Sequence, residues 1–162
     1  MRWVVLPVGI LLAVGAAAFA VGAALPATTT AERTQRVAAP PAILWAKVTD
    51  VAGQAQWRRD LQSIEMLDEG RRWIERTKAG DSIAFSLIER REQERFAIAY
   101  QSERGFSGQW VGLFQADGGG AQLSMTETVT VPNPFMRLIA RVVAPPGSHL
   151  DLYLADLQTA LR

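Results

Sequence analysis

Residues 82–131 read SIAFSLIERREQERFAIAYQSERGFSGQWVGLFQADGGGAQLSMTETVTV, and their period decides the fold. Runs rich in β-branched and aromatic residues alternate with the charged ERREQER and with DGGG, the pattern of strands joined by turns. Ile83, Phe85 and Leu87 share one face of the first run, Phe96, Ile98 and Tyr100 one face of the next, and Trp110, Gly112 and Phe114 one face of the third. In the last run Leu123, Met125, Val129 and Val131 alternate with Ser124, Thr126, Thr128 and Thr130, and Glu127 falls among the apolar set. Working outward, SIEML (63–67) and RRWIERT (71–77), set off by EG and AG, add two more strands on the N-terminal side. Six consecutive strands with short connections predict an antiparallel meander, one face of which is strongly apolar and needs a cover.

The cover is expected from both flanks. Residues 133–143, NPFMRLIARVV, read as a helical segment that Pro145, Pro146 and Gly147 interrupt. Ser148 is then expected to cap a run in which Leu150, Leu154, Leu157 and Leu161 recur at helical spacing, with Asp151 completing a variant capping box. On the other flank TQRVAA (34–39) predicts a first strand, stopped by Pro40 and Pro41. A helix over 41–50 follows with Leu44, Trp45 and Val48 as its stripe, then a second short helix over about Val51–Leu61 with Asp50 as cap. The predicted architecture is α+β: a curved seven-stranded antiparallel sheet wrapped around a long C-terminal helix, with two short helices between strands 1 and 2.

The N-terminus has a different composition. No ionisable side chain lies between Trp3 and Ala31, and the apolar run over 4–25 is 22 residues long, enough at about 1.5 Å per residue to cross roughly 30 Å of hydrocarbon. A cleaved signal peptide is the competing reading, since Arg2 supplies a positive start and Gly22, Ala23 and Ala24 resemble a cleavage region; its apolar part usually stops at about 7–15 residues. The expectation is a single-pass transmembrane helix through residues 3–25, with a short polar connector at Thr28–Glu32. Residues 1–31 then form an anchor, and residues 32–162 a domain on the extracytoplasmic side.

Composition excludes several classes of function. At 162 residues the chain holds one ordinary domain besides that segment. Lys and Arg total 17 against 16 Asp and Glu, a balance that argues against nucleic acid as a partner. The chain has no cysteine, so disulfides, thiolate metal sites and a Cys nucleophile are excluded, and its single histidine, His149, excludes a multi-histidine metal site. No metal or cofactor is expected. Arg71, Arg72, Arg76, Arg90, Arg91 and Arg95 alternate with Glu75, Glu89, Glu92 and Glu94, as solvated strand ends do. DGGG (117–120) lies between two strands and reads as a hairpin turn, not a phosphate cradle. His149, near a helix start, reads as a surface residue.

Residues 36–67, RVAAPPAILWAKVTDVAGQAQWRRDLQSIEML, resemble the opening of the START-like superfamily, also called SRPBCC or helix-grip proteins, in its polyketide cyclase/dehydrase branch. The matching features are Pro40 and Pro41, Trp45 followed by Thr49 and Asp50, and the pair Trp57 and Arg58. Residues 108–129, GQWVGLFQADGGGAQLSMTETV, are similar to that family's hairpin, and LADLQTALR (154–162) to its final helix. The resemblance covers about residues 33–162, is fairly specific for fold and is unspecific for activity. It implies a cavity between sheet and long helix that holds an apolar molecule. The PPG break and the membrane segment depart from the pattern.

Facing alone nominates the site. The expected ligand wall is Ile83, Phe85, Leu87, Phe96, Ile98, Tyr100, Trp110, Gly112, Phe114 and Met125, with Leu150, Leu154 and Leu157 opposite. Ordinary core packing makes the same stripes. Glu127, pointing inward, would have a raised pKa if desolvated and serve as a proton donor or acceptor or hold a ligand's polar end, with Tyr100 as a hydroxyl partner. A place at the sheet rim or pairing with one of the many arginines is the competing reading of Glu127, since no second acid or base stands beside it in sequence, and Tyr100 reads equally as a core residue with a wet end. The expected function is binding of a hydrophobic small molecule or lipid at the bilayer surface without turnover. An enzyme of cyclase or dehydratase type using Glu127 and Tyr100 is the alternative, and a protein-interaction module without internal space the third. Ligand identity, protein partners and oligomeric state are not legible in these residues.

Overall fold

The computed structural model describes residues 2–162, with side chains from Leu12 onward. Helix α1 (Arg2–Ala24) leads into strand β1 (Thr28–Val37), helix α2 (Pro41–Thr49) and a 3-10 turn at Ala52–Gln56. Strands β2 (Leu61–Leu67), β3 (Arg72–Thr77), β4 (Ser82–Arg91), β5 (Arg95–Ser102), β6 (Ser107–Asp117) and β7 (Gly120–Thr130) follow, and helices α3 (Pro134–Val143) and α4 (Ser148–Ala160) close the chain. The seven strands form one antiparallel sheet in the order β1-β7-β6-β5-β4-β3-β2. The meander is thus an unbroken run from β2 to β7, and β1 returns to pair with the last strand.

The sheet's concave face is marked by rows of paired residues. One row runs Leu87, Ile98, Trp110, Glu127, Ala31 across β4, β5, β6, β7 and β1, and its neighbour runs Trp73, Phe85, Tyr100, Gly108, Val129. A bulge between Leu87 and Glu89 bends β4, which is how a sheet acquires local curvature. The β6–β7 turn is the expected hairpin: Asp117 pairs with Gly120, and Gly118 and Gly119 both have positive φ, 55° and 101°, as a two-residue turn between twisted strands requires. Over the concave face α2 and α4 bury Leu44, Trp45, Val48, Leu150, Tyr153, Leu154 and Leu157 against Phe96, Trp110, Phe114, Leu123 and Met125.

The chain departs from the expected layout in three places. Strand β1 begins at Thr28, so Thr28–Ala31 are strand and not connector; the Thr28 and Thr30 hydroxyls hydrogen-bond those of Thr130 and Thr128, cross-strand pairs that extend the ladder. The second short helix is only the 3-10 turn, because the chain turns tightly at Gly53, whose N–H bonds the Asp50 carboxylate at 3.1 Å. A side chain at Gly53 would collide with that carboxylate. Ser148 does not cap α4: Gly147, at φ 87°, precedes the helix with no side-chain cap, and Asp151 is bonded instead to Arg33 on β1 at 2.6 Å. Among the described residues no helix is long and apolar enough to cross a membrane. The expected spanning segment, 3–25, falls within or next to α1, which is 23 residues long, and the side chains of residues 3–11 lie outside those described.

Candidate functional site: a polar chain beside a half-buried apolar face

The expected wall divides in two. Phe96, Trp110, Gly112, Phe114 and Met125 are buried in the core beneath α2 and α4, against Leu150, Leu154 and Leu157 of α4 itself. Trp45 packs edge-on against Phe114 and Phe96, with ring centroids 4.9 and 6.4 Å apart. The space above Gly112 holds the Trp110 ring edge, 2.5 Å from where a Cβ would stand, so that glycine accommodates the protein's own indole. Ile83, Phe85, Leu87, Ile98 and Tyr100 differ: they lie on the concave face of β4 and β5 but are only half-buried. The concave face is therefore closely packed at the β6–β7 end and only partly covered over β4–β5, where Phe85, Leu87 and Ile98 still pack against the core. Trp73 supports the partly covered part from β3, stacked on Phe85 at 5.4 Å with the rings nearly parallel.

A chain of polar side chains borders this half-buried face. Alternation along β7 turns Glu127 inward beside Trp110, and Ala31, its partner on β1, contributes only a methyl group there. The Tyr100 hydroxyl donates to Glu127 Oε1 at 3.0 Å. Tyr100 reaches it by lying across Gly108, where a Cβ would come within 2.5 Å of the phenol. From the first turn of α4, His149 places Nδ1 3.3 Å from the same carboxylate oxygen. Its Nε2 faces Asp60 Oδ2 at 3.9 Å. Asp60 accepts from Arg58 Nη2 at 2.8 Å, while Arg58 Nη1 donates to Glu75 Oε2 and to Gln54 Oε1, both at 3.0 Å. Trp73 Nε1 donates to Glu75 Oε1 at 3.2 Å. Tyr100, Glu127, His149, Asp60, Arg58, Glu75 and Trp73 thus form one relay from β5 to β3, and among the described residues no buried side-chain N or O lacks a hydrogen-bond partner.

The electrostatics correct one expectation. Burial alone would raise the Glu127 pKa, but the His149 contact, the Tyr100 hydroxyl and Arg58 together outweigh it, and Glu127 titrates below the ordinary carboxylate range. Burial would lower His149; the bond to Glu127 more than offsets it, and the imidazole is held above its ordinary value. Burial pushes the Tyr100 phenol well up, and Glu127 adds to the shift, so it stays protonated. Glu127 is thus held as an anion beside the Tyr100 hydroxyl and the His149 ring, and the His149 imidazole holds its proton more firmly than a free one does.

Stability should follow this pair with pH. A carboxylate held low contributes above its ordinary value of 4.5 and loses that contribution as pH falls through the lowered one. An imidazole held high contributes below 6.5 and loses its contribution as pH rises through the raised value. The contribution of the pair is therefore complete between these ordinary values and declines on both sides. Denaturant midpoints measured across this range should show the alkaline decline in the native chain and not in His149→Gln; equal slopes above neutrality would refute the pairing. Since the His149 side chain is 48% exposed, solvent screening keeps the effect modest.

Sequence reasoning found Glu127 and Tyr100 and missed the rest of the relay. The Glu127 partner His149 lies 22 positions away with no local signal. Arg58 belonged to the matched motif without a role. Glu75 stands in sequence among the charged strand-end residues, yet alternation in RWIERT places it on the same face as Trp73, and both are buried. A separate cleft of about 510 Å³ opens at the β6–β7 turn between Arg36–Ala38 and Asp117–Ala121; it lies six residues along β7 from Glu127 and shares no residue with the relay.

An antiparallel sheet gripping a C-terminal helix defines the START-like, or SRPBCC, class of fold. Residues 28–152 match the family described as polyketide cyclase/dehydrase and lipid transport, and the chain belongs to it. Solved structures agree on the fold. A START superfamily protein from Mycobacterium smegmatis is 16% identical with a TM-score of 0.65, over 82% of this chain and 96% of that one. A conserved protein from Geobacillus kaustophilus is 11% identical with a TM-score of 0.68, over 82% and 95%. A protein from Rhizobium leguminosarum is 18% identical with a TM-score of 0.63, over 83% and 94%. No curated protein matches the chain.

Proposed function

We propose that this protein binds a hydrophobic small molecule or lipid on the half-buried face of β4–β5, with the domain tethered to a membrane through residues 3–25 on the extracytoplasmic side. The observation that carries this reading is the incomplete burial of Ile83, Phe85, Leu87, Ile98 and Tyr100 on the concave face, where a folded domain ordinarily closes its core. An apolar chain laid on these residues completes the packing, and the polar end of the molecule meets His149 and Glu127 at the edge of that face. A tether holds such a pocket where a water-insoluble ligand is found. Family membership supports ligand binding of this general kind.

Native mass spectrometry of the full chain, released from mild detergent, should show a bound apolar mass. Phe85→Arg, on the half-buried face, should lose that mass, and Ile88→Arg, on the exposed outer face of the same strand, should keep it. A chain free of bound mass in every preparation would defeat the proposal.

A second reading has one observation in its favour. The His149–Glu127 pair supplies the second acid–base group that a cyclase or dehydratase needs, with Tyr100 as a neutral donor beside it. The two readings separate at Glu127→Gln: a binder retains its apolar mass with little change, and an enzyme retains the molecule but leaves it unconverted.

A further inference from the structure

We propose that α3 is a second membrane contact, an amphipathic helix lying in the lipid interface beside the end of α1. The inference rests on the tether reading, in that α1 brings the bilayer to α3. Helix α3 has no buried residue. Phe135, Ile139, Val142 and Val143 recur at i, i+4, i+7 and i+8, on one face, and all are exposed, Val142 at 82% and Val143 at 73%. The two arginines of the helix, Arg137 and Arg141, lie on the opposite side of the wheel. A soluble domain rarely displays such a continuous apolar stripe without something to cover it.

The position of the helix identifies the cover. Arg137 fastens α3 to the end of α1: Nη1 donates to the Gly22 and Leu25 carbonyls at 3.4 and 3.2 Å, and Nε and Nη2 donate to Val131 and Pro132 at 2.8 Å. The Pro134 carbonyl sits against Gly22 where no side chain would fit, and Phe19 meets Phe135 with ring centroids 5.7 Å apart. The apolar face of α3 is thereby continuous with the apolar surface of α1. Four residues past Val143, Gly147 already stands beside the Arg33 guanidinium on β1, and four residues reach at most about 14 Å. The helix accordingly leads from the end of α1 back to the domain across the side that faces the bilayer. An apolar face at the level of the acyl boundary, with Arg137 tied to backbone carbonyls and Arg141 free to reach headgroups, is the arrangement of an interfacial helix. The PPG break at 145–147 separates this helix from α4 and allows the two to serve different surfaces.

The absence of cysteine from the chain makes the test direct. Single variants Ile139→Cys, Val142→Cys, Val14→Cys and Glu103→Cys of the full chain, each labelled with a polarity-sensitive nitrobenzoxadiazole dye, are reconstituted in vesicles of phosphatidylcholine and phosphatidylglycerol. The substituted side chains are exposed, so the fold should be kept. Emission at 139 and 142 should shift to the blue and be quenched by nitroxide-bearing lipid, with neither effect at 103. Water-like emission at 139 and 142 would overturn the proposal, as would a blue shift without lipid quenching, which would mean that a second copy or another protein covers α3. The dye at 14 reports on the tether separately: quenching there leaves the tether standing if α3 fails, and its absence shows that the tether reading has failed.

Discussion

Replacing Arg58 by methionine is expected to destabilise the domain by about 3–5 kcal/mol, the usual result of removing one partner from a buried ion pair. The Arg58 side chain is 6% exposed and that of Glu75 4%, so removal of the guanidinium leaves a carboxylate in the core with only the Trp73 indole to satisfy it. Asp60 would lose its charged partner as well, and with it the orientation that presents its carboxylate to His149. Arg58 remains charged despite burial because Glu75 and Asp60 together outweigh the desolvation. The double change Arg58→Met with Glu75→Gln should recover much of the loss, since the buried charge then disappears from both sides. Denaturant unfolding of the two variants is the measurement. A single variant within about 0.5 kcal/mol of the native chain, the range of ordinary surface changes, would show that the pair is solvated in solution.

The second large effect is expected at Trp73. It is 2% exposed, the largest fully buried side chain among the described residues, and it carries two roles at once. Its ring stacks beneath Phe85 and its N–H holds Glu75. Trp73→Ala should destabilise by about 3–5 kcal/mol through the cavity left behind. Trp73→Phe keeps a ring under Phe85 and removes the donor, with an expected effect of about 1.5–3 kcal/mol for a hydrogen bond to a charged group. Because Trp73 and Arg58 act on the same carboxylate, their effects should not add, and a double-mutant cycle should show clear coupling. Strict additivity would mean that Glu75 is not the link between them.

These two residues also show what was legible in the sequence. Strands were readable because their period is local: alternation in β4, β5, β6 and β7 sets faces without knowledge of any other segment, and turn residues mark the ends. The inward turn of Glu127 follows from the same rule. Partners were not readable, because pairing in three dimensions joins positions that share no local signal, as Glu127 does with His149 and Arg58 with Glu75. The direction of the Glu127 shift was misjudged for that reason. Burial was inferred from the pattern, while the imidazole that reverses its effect comes from another element. Capping failed similarly at α4, where Asp151 found a stronger partner in Arg33 than the helix end offers. The division of the concave face into a closely packed part and a partly covered part depends on where α2 and α4 lie, which alternation does not encode.

An apolar molecule is expected on the half-buried face of β4 and β5. Photolabelling of the full chain in vesicles with a diazirine-bearing fatty acid, followed by peptide mapping, addresses it most directly. Labelled residues are expected within 83–87 and 98–100. Labels confined to α1 and α3, with β4 and β5 unmarked, would contradict it.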